Sequence, residues 1–193
     1  TVDQLQDDDS IDGGNGSDIV GLNNTTVTAV EGSDTDSLDL QATLSGFEAL
    51  RVTDALDNGN TPSDGDDSDE FDITDCGDSV NELQLASTVT GTQTVNGFES
   101  GGTVEYRNDA DMGGTLDVGM TDATSANTPN DTLNVNMNAD LSANSNHAVN
   151  LGVDGINILN VDASDRGGAD TESDDGYTLN LSQEQNVREI NVT

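Results

Sequence analysis

The chain of 193 residues carries 39 Asp and Glu against 4 Arg and no Lys, a formal net charge of -35. Such a surface repels a nucleic-acid backbone and an anionic bilayer and attracts cations. Leu, Ile, Val and Phe together make up 41 of the 193 residues, or 21%, close to the level below which highly charged chains stay disordered, so folding calls for bound divalent cations or high salt.

Two further exclusions come from single residues. The one cysteine, Cys76, rules out an internal disulfide and a cysteine-built zinc site, and the one histidine, His147, restricts histidine metal chemistry. No run of 18 apolar residues is present, so no membrane span is expected. The opening "TVDQLQDDDS" has no Met, basic region or apolar stretch, which is expected of a mature product or a fragment of a longer chain.

Short alternating segments follow one another along the chain. Asp36 to Leu44, Ala49 to Asp54, Asn81 to Thr88, Thr132 to Asn138, Ile156 to Ala163, Tyr177 to Ser182 and Glu189 to Thr193 each alternate apolar with polar or small residues. That is the period of a strand with one buried face, and Gly, Asn and Asp fill the breaks. "SQEQNVREI", Ser182 to Ile190, is the one helix candidate. The class expected is all-β.

The strands fall into a repeated pair. A first element reads "SLDL" from Ser37, "ELQL" from Glu82, "TLDV" from Thr115, "TLNV" from Thr132 and "TLNL" from Thr178. A second reads "GFEALRVTD" from Gly46, "GFESGGTVEY" from Gly97, "GINILNVDA" from Gly155 and "NVREINVT" from Asn186. A two-strand unit of this kind cannot bury its apolar face alone, so units must stack on each other or on a second sheet. The architecture expected is a β-solenoid of parallel strands with irregular acidic loops, with a β-sandwich as the alternative. A segment over 1–36 precedes a β-repeat domain over 37–193.

"GGNGSDIVG", Gly13 to Gly21, matches the nonapeptide G-G-x-G-x-D-x-U-x at every fixed position. Glycines there let carbonyl oxygens turn toward one ion, Asp18 offers a carboxylate and Val20 plugs into a core. On these residues the chain resembles the RTX family of calcium-binding secreted bacterial proteins. In that family successive copies share each calcium, so by resemblance Gly13, Gly14, Asn15, Gly16 and Asp18 make half a site, the other half coming from Asp7, Asp8, Asp9 or Asp12. The alternative reading is a Gly/Asn turn joining two strands. Over Ser37 to Thr193 the strand pairs also look like those of RTX-type surface-layer proteins and large repetitive adhesins, in which calcium rigidifies the fold and drives assembly.

Two acidic loops supply further oxygen ligands. Asp57 to Asp72 holds Asp64, Asp66, Asp67, Asp69 and Asp72, and Asp162 to Gly176 holds Asp162, Asp165, Asp170 and Asp174. Neither follows the EF-hand spacing, but clustered hard oxygens favour calcium over softer metals. Solvated acidic loops are the competing reading. No nucleophile elbow accompanies His147, which reads as a surface histidine in a polar loop. Carboxylate pairs abound, but three Phe, two Tyr and no Trp leave little for a sugar to stack on.

These features lead to the expectation of a secreted, non-enzymatic structural module of a bacterial surface layer or related assembly. Its cofactor is calcium, and its partners are further copies of itself, with a cell-surface polysaccharide as an additional candidate. The rivals are a ligand-binding module of a calcium-dependent adhesin and, behind it, a calcium-dependent secreted enzyme.

Overall fold

The computed structural model describes residues 10–23, 43–56, 70–73, 79–107, 113–120, 131–138, 146–153, 155–163, 176–182 and 186–193. Among these residues the protein is all-β, with no α-helix, and every pairing between neighbouring strands is parallel. In chain order, β1 (Ser10–Asp12) and β3 (Thr43–Ser45) form a two-stranded sheet. A seven-stranded sheet stacks β2 (Ile19–Leu22), β4 (Ala49–Val52), β6 (Glu82–Leu85), β8 (Gly102–Tyr106), β10 (Thr132–Met137), β12 (Ile158–Asp162) and β14 (Glu189–Val192). A five-stranded sheet stacks β5 (Glu70–Asp72), β7 (Val89–Phe98), β9 (Gly113–Met120), β11 (Asn146–Val153) and β13 (Gly176–Ser182).

The order follows a simple rule. From β4 onward consecutive strands alternate between the two large sheets, so each strand's neighbour within its sheet lies two strands away in the chain. A parallel pair needs a crossover connection, and here the crossover contains a strand of the other sheet. The expected first-element repeat therefore splits. "ELQL" and "TLNV" are β6 and β10 of the seven-stranded sheet, whereas "TLDV" and "TLNL" lie in β9 and β13 of the five-stranded one. "SLDL" from Ser37 lies outside the described residues.

Register turns the alternating sequence into a core. Leu50, Leu83, Val104 and Val135 stand in one row of the large sheet, each on the next, and all are fully buried. Val95, Val118 and Val153 do the same in the five-stranded sheet. Side chains from all three sheets join one apolar cluster. Each fully buried Leu or Val contributes about 1.5–3 kcal/mol relative to exposure, which lets few apolar residues hold a long chain.

Outward rows are polar and also in register. Asn134 donates to the Gly101 carbonyl, Asn160 donates to Asn134 Oδ1 at 3.0 Å and Asn191 donates to Asn160 Oδ1 at 3.0 Å. On the other sheet Asn150 donates to Gly114 and Asn180 to Asn150. An Asn at the same place in successive strands thus satisfies its neighbour's amide.

Two expectations are corrected. The segment Ser182 to Ile190 is not a helix in its described parts: Ser182 closes β13 and Glu189–Val192 is β14. Its Ile190 and Val192 follow the period of two, and the large sheet offers them a paired neighbour, which a lone short helix would lack. His147 is not a surface residue. It lies in β11, where His147, Val149 and Leu151 alternate with Ala148 and Asn150, and its side chain is 1% exposed.

Two buried positions give direct tests. Gly114 sits beside a bulge of β7, where the register slips between Val89 and Thr92, and a Cβ there would run into the carbonyl oxygens of Gly91 and Val89. Gly114→Ala is expected to lower stability by about 1–3 kcal/mol, read as a drop in thermal midpoint. Tyr106 is buried with an Oη that takes no hydrogen bond, and burial pushes its phenol pKa upward. Tyr106→Phe should leave stability unchanged or raise it by about 1 kcal/mol. Because the folded phenol ionises later than the unfolded one, stability is complete below about pH 10 and falls as pH rises beyond it; that alkaline loss should shrink in Tyr106→Phe.

Candidate metal centre

The nonapeptide turn connects β1 to β2, and two of its glycines have positive φ. Gly14 and Gly16 hold φ of 88° and 146°, a region open to glycine at little cost. Val20, at the apolar position of the motif, is buried in the core cluster. Asp12 Oδ1 accepts the Gly14 amide at 2.9 Å and so closes the start of the turn on itself.

A second turn packs against the first. Gly46 to Glu48 joins β3 to β4, and Gly46 also has a positive φ of 67°. The two turns are held by backbone and side chain together. Gly13 donates its amide to the Ser45 carbonyl, and Glu48 and Ala49 donate theirs to the Asp18 carbonyl. In return the Asp18 amide donates to Glu48 Oε2 at 2.7 Å. The contact leaves no room for side chains: a Cβ on Gly13 would meet the Gly46 carbonyl, and one on Gly46 would come within 2.7 Å of Asp12 Oδ1.

The paired turns carry three carboxylates, those of Asp12, Asp18 and Glu48. Asp18 Oδ2 is buried and takes no hydrogen bond, while Asp12 and Glu48 each use one carboxylate oxygen on a backbone amide. An orphaned buried carboxylate oxygen is costly, and a hard cation is the natural way to satisfy it. These donors fit calcium in type. Among the described residues no three His, Cys, Asp or Glu side chains converge on one point.

The expected ligands divide accordingly. Asp12, Gly13, Asn15, Gly16 and Asp18 lie together in this turn, with Asn15 and Gly16 exposed. Asp7, Asp8, Asp9, Asp64, Asp66, Asp67, Asp69, Asp165, Asp170 and Asp174 lie outside the described residues. Asp72 ends β5, opposite Asn96 of β7, and Asp162 ends β12 with an exposed side chain, away from the nonapeptide turn. The acid that the packing brings to Asp18 is Glu48, which the motif alone does not name. Its signal lies in the repeat: "GFE" at Gly46 to Glu48 opens the second-element strand, and "GFE" recurs at Gly97 to Glu99.

Elsewhere, the outer face of the large sheet has a polar depression of about 320 Å³ lined by Thr103, Asn134, Asn136, Asn160, Asp162, Asn191 and Thr193 together with Val161. His147 is remote from solvent, its ring 6.1 Å from that of Tyr177, and its buried Nε2 takes no hydrogen bond.

The stacked turns predict a contrast between neighbouring glycines. Gly13→Ala pushes a methyl into a fixed backbone carbonyl and should cost about 2–3 kcal/mol, whereas Gly14→Ala meets open space and bears only the cost of its positive φ, about 1 kcal/mol. Thermal melts of the two variants in one buffer check the order. Comparison with protein families, curated proteins and solved structures finds no match for this chain.

Proposed function

We propose that the chain is a calcium-stabilised structural module of a bacterial surface layer or related extracellular assembly, wound as a β-solenoid. The observation that carries this reading is the buried, unbonded Asp18 Oδ2 inside a glycine turn that Glu48 ties to its neighbour. In a chain at -35, such an atom makes a cation part of the folded state's free energy rather than a surface accessory.

Strand order supports the winding. Parallel neighbours separated by a strand of the opposite sheet are what one chain produces when it coils and advances one strand spacing per turn. A β-sandwich, the other architecture the alternation allows, is usually joined by antiparallel hairpins and Greek keys. The regular outer rows of Asn suit a scaffold, whose work is to hold shape.

Calcium would supply positive charge at Asp18, Asp12 and Glu48 and draw the two turns together. The chain's own residues do the rest: Gly13 and Gly46 allow the close approach, and Val20 anchors the turn to the core. An adhesin module is the second reading, favoured by the polar depression beside Asp162, which could receive the hydroxyls of a glycan.

A calcium titration that follows compaction and particle size tests the proposal. Folding should sharpen with a midpoint of about 0.1–1 mM, as for extracellular calcium modules, and large particles should form as it does. Glu48→Gln should move the midpoint upward by about tenfold. Compaction without association selects the adhesin reading, and indifference to calcium sinks the calcium reading altogether.

A further inference from the structure

Three Asn-Gly pairs occur in the chain, beginning at Asn15, Asn58 and Asn96. An Asn followed by Gly is open to a reaction within its own backbone, because a residue with no Cβ leaves its amide nitrogen unshielded toward the preceding side chain. Asn58 lies outside the described residues. The other two pairs stand in opposite settings.

Asn15 and Gly16 sit in the nonapeptide turn between β1 and β2, outside any strand. The hydrogen bonds that tie this turn run from the amides of Gly13, Gly14 and Asp18, and among the described residues none holds the Asn15 side chain or the Gly16 amide. Asn96 and Gly97 lie inside β7, at its second bulge. Asn96 is paired with Asp72 of β5, its side-chain amide lies across Gly119 of β9, where a Cβ would strike it, and Gly97 is buried. The first pair can rotate its backbone without breaking a ladder, whereas the second must wait for the sheet to open.

The orphaned carboxylate oxygen of the turn bears on the same peptide bond. Asp18 Oδ2, buried and without a hydrogen bond, stands 3.4 Å from the point a Gly16 Cβ would occupy. A cation held by that oxygen lies beside Gly16 and stiffens the backbone that would have to turn.

We propose that Asn15 is a self-modification site, deamidating through a cyclic imide with Gly16, and that an ion bound in the turn holds the reaction back. The Gly16 amide nitrogen gives up its proton and attacks Asn15 Cγ. A new C–N bond forms, the bond from Cγ to the side-chain nitrogen breaks, and that nitrogen leaves with the proton as ammonia. Water then opens the imide at either carbonyl, giving Asp or isoaspartate at this position, and no other reactant is consumed. Asp adds a carboxylate between Asp12 and Asp18, and isoaspartate lengthens the backbone of the turn by a methylene. The restraint by the ion rests on the calcium reading above; the reaction itself does not.

Peptide mapping by mass spectrometry of the folded 193-residue chain, held in mildly alkaline buffer and sampled over time, tests the proposal. Asn15 should convert about tenfold faster than Asn96 or more, since Asn96 reacts only through opening of β7. In urea, where neither pair is protected by a fold, the two rates should converge. Asn15→Gln should remove the conversion in the turn and leave that at Asn96 as it was. With calcium at about ten times its dissociation constant only about a tenth of the turns stay unbound, so Asn15 should convert about tenfold more slowly than in chelator. A folded chain in which Asn15 stays intact, or converts no faster than Asn96, overturns the proposal. Equal rates in calcium and chelator overturn the restraint: if calcium also leaves compaction unchanged, the calcium reading falls with it, and if calcium does compact the chain, the restraint alone falls.

Discussion

Parallel register is the constraint on which everything else in the molecule depends. In each large sheet an inward apolar side chain lies directly on another, about 4.8 Å away, strand after strand. A shift of one residue in β4 would turn Leu50 outward and Arg51 into the core. With so few apolar residues to spend, the chain cannot tolerate such a slip, and its polar rows reinforce the alignment: an Asn ladder forms only when each amide faces the next.

Charge is arranged around that constraint. Glu105, nearly buried on the outer face of β8, is met by Arg107 at 3.0 Å and by the Asn138 amide, and Arg51 reaches Gln84 on the neighbouring strand. Ion pairs of this partly exposed kind contribute little energy, but they keep a carboxylate from standing alone within a sheet. At the nonapeptide turn the Asp12 and Glu48 carboxylates face backbone amides, and among the described residues no Arg forms an ion pair with Asp12, Asp18 or Glu48.

Much of this was legible in the sequence. Alternation in "TLNVNMN" and "INILNVDA" gives strands of one buried face, and both segments stand as β10 and β12. The glycine turn and its buried Val20 follow from the nonapeptide spacing. What alternation does not encode is which sheet a strand joins, because "TLNV" and "TLNL" carry the same local pattern and sit on different sheets. His147 was hidden for a related reason. Asn, Ser and Ala around it resemble a loop, and only the register with Val149 and Leu151 turns its imidazole inward. Glu48 was out of reach because its partner Asp18 is 30 residues away, a distance closed by the stacking of turns rather than by any local motif.

The spacing between stacked positions is uneven. The step from Leu83 to Val104 is the shortest in the large sheet and that from Leu50 to Leu83 the longest, yet both deliver a side chain to the same row. The sheet counts places within a strand and ignores how much chain is spent between strands. Insertions and deletions at the corners therefore leave the interior untouched, while the loss of one residue inside β10 would invert its remaining side chains. Over evolutionary time such a molecule can change its outline freely and its cross-section hardly at all, so descent in chains of this build would be preserved in the rhythm of the strands long after their spacing had drifted.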